Sequence, residues 1–111
     1  MRKMLCLQYL VVTASFALLA GGMSDDAFAQ DAAAGQRLAR ESCSTCHQVD
    51  GGAARPGDAA PSFGAIANAP QITPLMIHVF LQTTHEKMPN LVLTKIEIGD
   101  VSEYILSFRV K

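Results

Sequence analysis

The chain has 111 residues, half of them hydrophobic, with nine basic and ten acidic side chains and a formal net charge of −1. That length allows one domain, and so even a balance leaves no basic patch of the kind nucleic acid demands. Beyond residue 29 only four aromatics remain, Phe63, Phe80, Tyr104 and Phe108. A core built on so few is modest, and small domains commonly need a disulfide, a metal or a cofactor as a staple.

Residues 1–29 read as a secretory signal peptide. Arg2 and Lys3 give a positive start, residues 5–20 are apolar apart from Gln8, Thr13 and Ser15, and Ala27-Phe28-Ala29 supplies a small-residue cleavage pattern. The alternative is a retained membrane anchor, but the apolar run is near the lower limit for spanning a bilayer. Cleavage after Ala29 leaves a domain of residues 30–111 with no stable membrane span and predicts a periplasmic location. Cys6 departs with the leader. Loss of Arg2, Lys3, Asp25 and Asp26 takes two from the basic total and two from the acidic one, so the net charge stays at −1.

Within residues 30–111 the elements follow in order. Residues 31–41, rich in alanine, predict a short helix in which Gly35, costly for a helix, marks a close contact with another helix. Residues 42–49 carry a cysteine motif. Residues 50–68, dominated by Gly, Ala, Pro and Asp, predict a long irregular loop, which in so small a domain needs something to wrap around. Thr73-Pro74 opens a second helix as N-cap and first-turn proline. Its run Leu75, Met76, Ile77, Val79, Phe80 and Leu81 predicts burial on most faces. Residues 84–93 contain Pro89 and Asn90 and read as loop. Thr94 and Glu97 form a capping box for a last helix in which Ile98, Val101, Ile105 and Phe108 recur at helical spacing, with Tyr104 extending the stripe. No strand alternation is visible, so the fold class is all-α.

Cys43-Ser44-Thr45-Cys46-His47 is the C-x-x-C-H pattern of covalent haem attachment. Two thiols three positions apart on one turn of helix project to the same side, where each can add to one vinyl group of the porphyrin. His47, next in sequence, is then held beneath the ring as proximal iron ligand. Three other uses of the cysteines compete. A redox dithiol is expected beside a βαβ pattern. Zinc requires four ligands, which would have to include His78 and His85. A disulfide across so short a loop adds little stability. Export and domain size agree with haem c and its iron.

The sixth iron position decides function. Met88 is the candidate distal ligand, lying in the polar stretch His85-Glu86-Lys87-Met88-Pro89-Asn90, where packing gives no reason for a methionine. Pro89 biases Met88 toward an extended backbone. His85 is the rival ligand and His78 a weaker one. Met76, inside the apolar helix, fits ordinary gap-filling better. Phe63, Ile66, Met76, Val79, Phe80 and Leu91 are candidate pocket lining.

Across residues 31–108 the sequence resembles a class I, monohaem bacterial c-type cytochrome. The resemblance is carried by Gly35, the C-x-x-C-H motif, Pro61, Met88-Pro89 and Tyr104-Ile105-Leu106. It implies a small fold of helices and loops wrapped around one covalent haem, with the first and last helices crossing at Gly35 and Tyr104. It also implies that a proline carbonyl supports the proximal histidine, a role for which Pro61 and Pro56 compete. With His47 and Met88 both on iron, substrate is kept from the metal, and the expected function is a non-enzymatic electron carrier cycling between Fe(II) and Fe(III) with redox partner proteins. An open or bis-histidine iron would instead make it a haem enzyme subunit or a ligand-binding haem protein.

Overall fold

The computed structural model describes residues 29–111, so the leader and its cleavage pattern up to Phe28 lie outside the described residues. Among the described residues there are four helices and no strand: α1, Ala32–Ser42; α2, Phe63–Ala67; α3, Pro74–Gln82; and α4, Lys95–Leu106. None is long and apolar enough to cross a membrane.

Local chemistry sets each helix start. The Asp31 carboxylate accepts the N–H groups of Ala33 (2.8 Å) and Ala34 (3.1 Å), satisfying two of the donors that a helix N-terminus leaves unpaired. Thr73 caps α3 by accepting the Met76 N–H at 3.1 Å, with Pro74 in the first turn. The capping box of α4 is reciprocal: Thr94 Oγ1 accepts the Glu97 N–H and Glu97 Oε2 accepts the Thr94 N–H, at 3.2 and 2.7 Å. That second bond, led by the Thr94 backbone, holds the Glu97 carboxyl below its ordinary range.

α1 and α4 make the most extensive contact between elements. Gly35 and Ala39, one turn apart, are the buried positions of α1. A Cβ at Gly35 would overlap the Asp100 carbonyl and lie 2.9 Å from the Val101 nitrogen, so the two backbones touch there. The crossing expected at Gly35 is thus made against Asp100 and Val101, and Tyr104 sits one turn further along. Asp100 also draws in the chain ahead of α1, accepting the Asp31 N–H at 2.7 Å. The buried core comprises Ala39, Val49, Phe63, Ala67, Ile77, Ile98, Val101, Tyr104 and Ile105.

Three expectations need correction. The end of the supposed irregular loop is the short helix α2, capped by Ser62, whose Oγ accepts the Ala65 N–H at 3.1 Å. Five residues are too few for a visible period. Phe108 lies beyond the end of α4, and its ring meets Tyr104 edge-on at 5.1 Å. Finally, α3 is not buried on most faces. Ile77 is its one buried residue, while Leu75, Met76, Val79 and Phe80 are 71, 51, 51 and 49% exposed. Ile77 faces the core, and polypeptide covers little of the apolar surface around it. Met76 is therefore not a gap-filler in the polypeptide core.

The backbone contact at Gly35 predicts that Gly35→Ala in the haem-loaded protein lowers stability by about 1–3 kcal/mol, the usual cost of overpacking. Gly52, where a Cβ would approach nothing nearer than 3.5 Å, is the control. Denaturant titration checks this, and equal midpoints for the two alanine variants would contradict it.

Candidate functional site

The cysteine motif begins where α1 ends. Cys43 caps the helix, its N–H donating to the Ala39 carbonyl at 2.9 Å. The Cys43 carbonyl then accepts the N–H groups of Cys46 (3.2 Å) and His47 (3.0 Å), which closes the five residues into one tight turn. The turn follows the helix rather than continuing it. Both thiols are free and half-buried, and burial pushes the Cys43 thiol above its ordinary range.

His47 Nδ1–H donates to the Pro61 carbonyl at 2.6 Å. A carbonyl can only accept, so Nδ1 carries a proton, and in the neutral ring Nε2 is the nitrogen with the lone pair. A partner on one ring nitrogen fixes the orientation and raises the basicity of the other. Pro61 is brought there by the next residues: the Phe63 N–H donates to the Gln48 carbonyl at 2.9 Å, and the Phe63 ring lies 5.6 Å from that of His47. Phe63 in turn meets Tyr104 edge-on at 6.2 Å. The Tyr104 hydroxyl donates to the Val49 carbonyl at 3.0 Å and accepts from Gln36 at 3.3 Å. Cys43, Cys46, His47, Pro61 and Phe63 are therefore one assembly.

Pro56 occupies a different place. Arg55-Pro56-Gly57-Asp58 is a turn with proline second and glycine third, Gly57 at φ +92°, closed by the Asp58 N–H donating to the Arg55 carbonyl at 3.0 Å. This turn delivers two residues that sequence reasoning missed. Arg55 Nη2 donates to the carbonyls of Ser44 (3.2 Å) and His47 (3.3 Å). The Asp58 carboxylate accepts the Arg55 N–H at 2.6 Å and its Nε–H at 3.1 Å. Those bonds, the backbone one first, hold the Asp58 carboxyl below its ordinary range. The Pro-Gly pair signalled the turn, but nothing in the sequence says that its flanking charges reach the cysteine motif.

Met88 belongs to a second group. It is half-buried in a small cavity lined by Phe80, Leu81, Thr83, His85, Pro89, Asn90 and Leu91. The His85 ring stacks on Phe80 at 3.6 Å with 24° between planes, and its Nε2 lies 3.5 Å from Thr83 Oγ1. His78 Nε2 is buried without a hydrogen-bond partner. Of the expected lining, Phe63 is buried and Ile66 partly buried against the core. Phe80 and Leu91 surround Met88, and Met76 and Val79 are half-exposed. No hydrogen bond or ring contact joins the two groups among the described residues.

The donor set fits a c-type haem. It offers two free thiols on one turn, an imidazole with its Nε2 lone pair available, and on α3 an apolar surface that polypeptide leaves uncovered. A zinc site built from Cys43, Cys46, His78 and His85 does not form, since no three His, Cys, Asp or Glu side chains converge as a metal site among the described residues.

Comparison with known proteins points the same way. Residues 30–105 match the family described as cytochrome C oxidase, cbb3-type, subunit III. The chain is also similar to cytochrome c-552 of Bradyrhizobium diazoefficiens, 37% identical over 92 residues that span 83% of this chain and 88% of that protein. No solved structure gives a significant match.

Proposed function

The chain belongs to the c-type cytochromes, in the family of cbb3-type cytochrome c oxidase subunit III, and on that premise we propose that it is an exported single-electron carrier whose iron is held by His47 and Met88. Family membership makes it a haem electron-transfer protein with one covalent haem c. The axial pair, the thioether roles of Cys43 and Cys46, the supporting roles of Pro61 and Phe63, and residues 1–29 as a cleaved leader are the finer parts of the proposal.

The observation that carries it is the His47–Pro61 hydrogen bond. It leaves Nε2 as the donor nitrogen on a turn that also presents both thiols. The haem supplies one-electron exchange between Fe(II) and Fe(III). The polypeptide contributes orientation, exclusion of water and fixed charge. Phe63 and Tyr104 pack behind His47, so the imidazole has a wall on the core side. On the other side, Met88 fits as distal ligand because it is the soft donor in a loop already half-buried among Phe80, Leu81 and Leu91. A thioether there favours the ferrous state and raises the potential. The rival, His85, has its ring face committed to Phe80.

With His47 and Met88 both holding the iron, oxygen or substrate would have no open place on the metal. That supports a carrier rather than a catalyst, with a donor and an acceptor protein as partners. The family description favours one second reading, a domain that passes electrons within a larger oxidase.

Replacing Met88 with alanine is expected to lower the reduction potential and to produce a high-spin iron that binds added small ligands, read by absorption spectroscopy and potentiometric titration. A variant with unchanged spectrum and potential would remove Met88 from the iron. For export, intact-mass measurement of the secreted protein should give a chain that starts at Gln30 and carries one haem. A chain retained in the membrane with residues 1–29 attached would contradict cleavage.

A further inference from the structure

Arg55 and Asp58 touch the haem-binding turn without being thiols or axial ligands. We infer that the Arg55–Asp58 pair sets the reduction potential of the iron through opposed fixed charges, with Arg55 a positioning residue that acts through the carbonyls of Ser44 and His47. The inference rests on the haem reading of Cys43, Cys46 and His47.

The geometry supports it in three steps. Arg55 Nη2 meets two carbonyls of the turn, that of Ser44 between the cysteines and that of His47 itself, at 3.2 and 3.3 Å. A guanidinium bonded to the backbone of His47 would lie close to an iron held by that residue's imidazole. Second, the guanidinium cannot drift. Asp58 takes its Nε–H at 3.1 Å and the Arg55 backbone N–H at 2.6 Å, and the Arg55-Pro56-Gly57-Asp58 turn locks the two residues three apart. Third, the two ends of the pair differ in burial: the Asp58 side chain is 8% exposed and that of Arg55 52%. The shielded carboxylate is thus the charge less screened by solvent.

The signs follow from electrostatics. Oxidation adds one positive charge at the iron. A fixed guanidinium nearby opposes that change and favours Fe(II), whereas a fixed carboxylate favours Fe(III). Together the two offset in part, and the less screened carboxylate keeps the larger share. Separated, they act in opposite directions. A purely structural clamp would not behave this way, since loosening the turn from either end would disturb the haem in the same sense. Arg55 and Asp58 are therefore a matched pair in which replacing one member moves the potential one way and replacing the other moves it back.

The experiment is a spectroelectrochemical titration of the haem-loaded protein at neutral pH, comparing the natural sequence with Asp58→Asn, Arg55→Gln, Arg55→Lys and the double variant Asp58→Asn/Arg55→Gln. Asp58→Asn keeps the shape of the side chain and one acceptor, and its potential is expected to shift positive. Arg55→Gln is expected to shift negative, the double variant to return toward the natural value, and Arg55→Lys, which keeps the charge, to stay close to it. Shifts of the same sign in Asp58→Asn and Arg55→Gln, or none in either, would overturn the inference. If Arg55→Gln fails to incorporate haem, Asp58→Asn and Arg55→Lys decide: a positive shift in the first with none in the second supports the charge pair, and any other combination rejects it. A natural-sequence protein without haem absorption would overturn the haem assignment, and this inference with it.

Discussion

The backbone contact between Gly35 and Asp100–Val101 is the constraint on which the rest of the molecule depends. Because α1 carries no side chain at that point, α1 and α4 approach closely enough for Tyr104, one turn along α4, to reach past α1. Its hydroxyl takes the Val49 carbonyl just beyond the cysteine motif, and its ring supports Phe63. Phe63 then stands beside His47 and holds the chain so that the Pro61 carbonyl receives Nδ1–H. One missing Cβ is thus connected, through packing and two hydrogen bonds, to which nitrogen of a neutral His47 carries the lone pair. The Tyr104 bond matters twice over, since a buried carbonyl left without a donor costs about 1–3 kcal/mol.

The same frame accounts for the imbalance of the fold. The buried side chains come mainly from α2 and α4; α1 contributes Ala39 and α3, for all its apolar residues, Ile77 alone. Leu75, Met76, Val79 and Phe80 form the kind of contiguous apolar surface that a small protein normally turns toward a ligand or partner. Covalent haem is a large planar apolar group, and on the attachment proposed at Cys43 and Cys46 it would supply the burial that so short a chain lacks. Attachment and folding are then linked, as for other small domains whose cofactor contributes folding free energy.

How much of this was legible in the sequence depends on the range of each signal. The Thr94–Glu97 capping box, the Thr73-Pro74 start and the C-x-x-C-H turn are local, and each residue type has its role within three or four positions. Gly35 was legible as an anomaly, a glycine inside a helix, though not its contact with Asp100. The burial of α3 was misjudged because an apolar run reports what a helix is made of and not what covers it. α2 was hidden by its length. Arg55 and Asp58 drew no notice in the sequence, since the contact of Arg55 with Ser44 and His47 spans 11 and 8 positions and leaves no periodic trace.

The central claim is a single covalent haem with nitrogen and thioether sulfur on its iron. Absorption spectra of the haem-loaded natural protein, first oxidised and then reduced, test it most directly. The account predicts a sharp α-band on reduction and, in the oxidised form, the weak long-wavelength band that reports iron–methionine bonding. A haem spectrum lacking that band would contradict it and move the sixth position to His85 or leave it open.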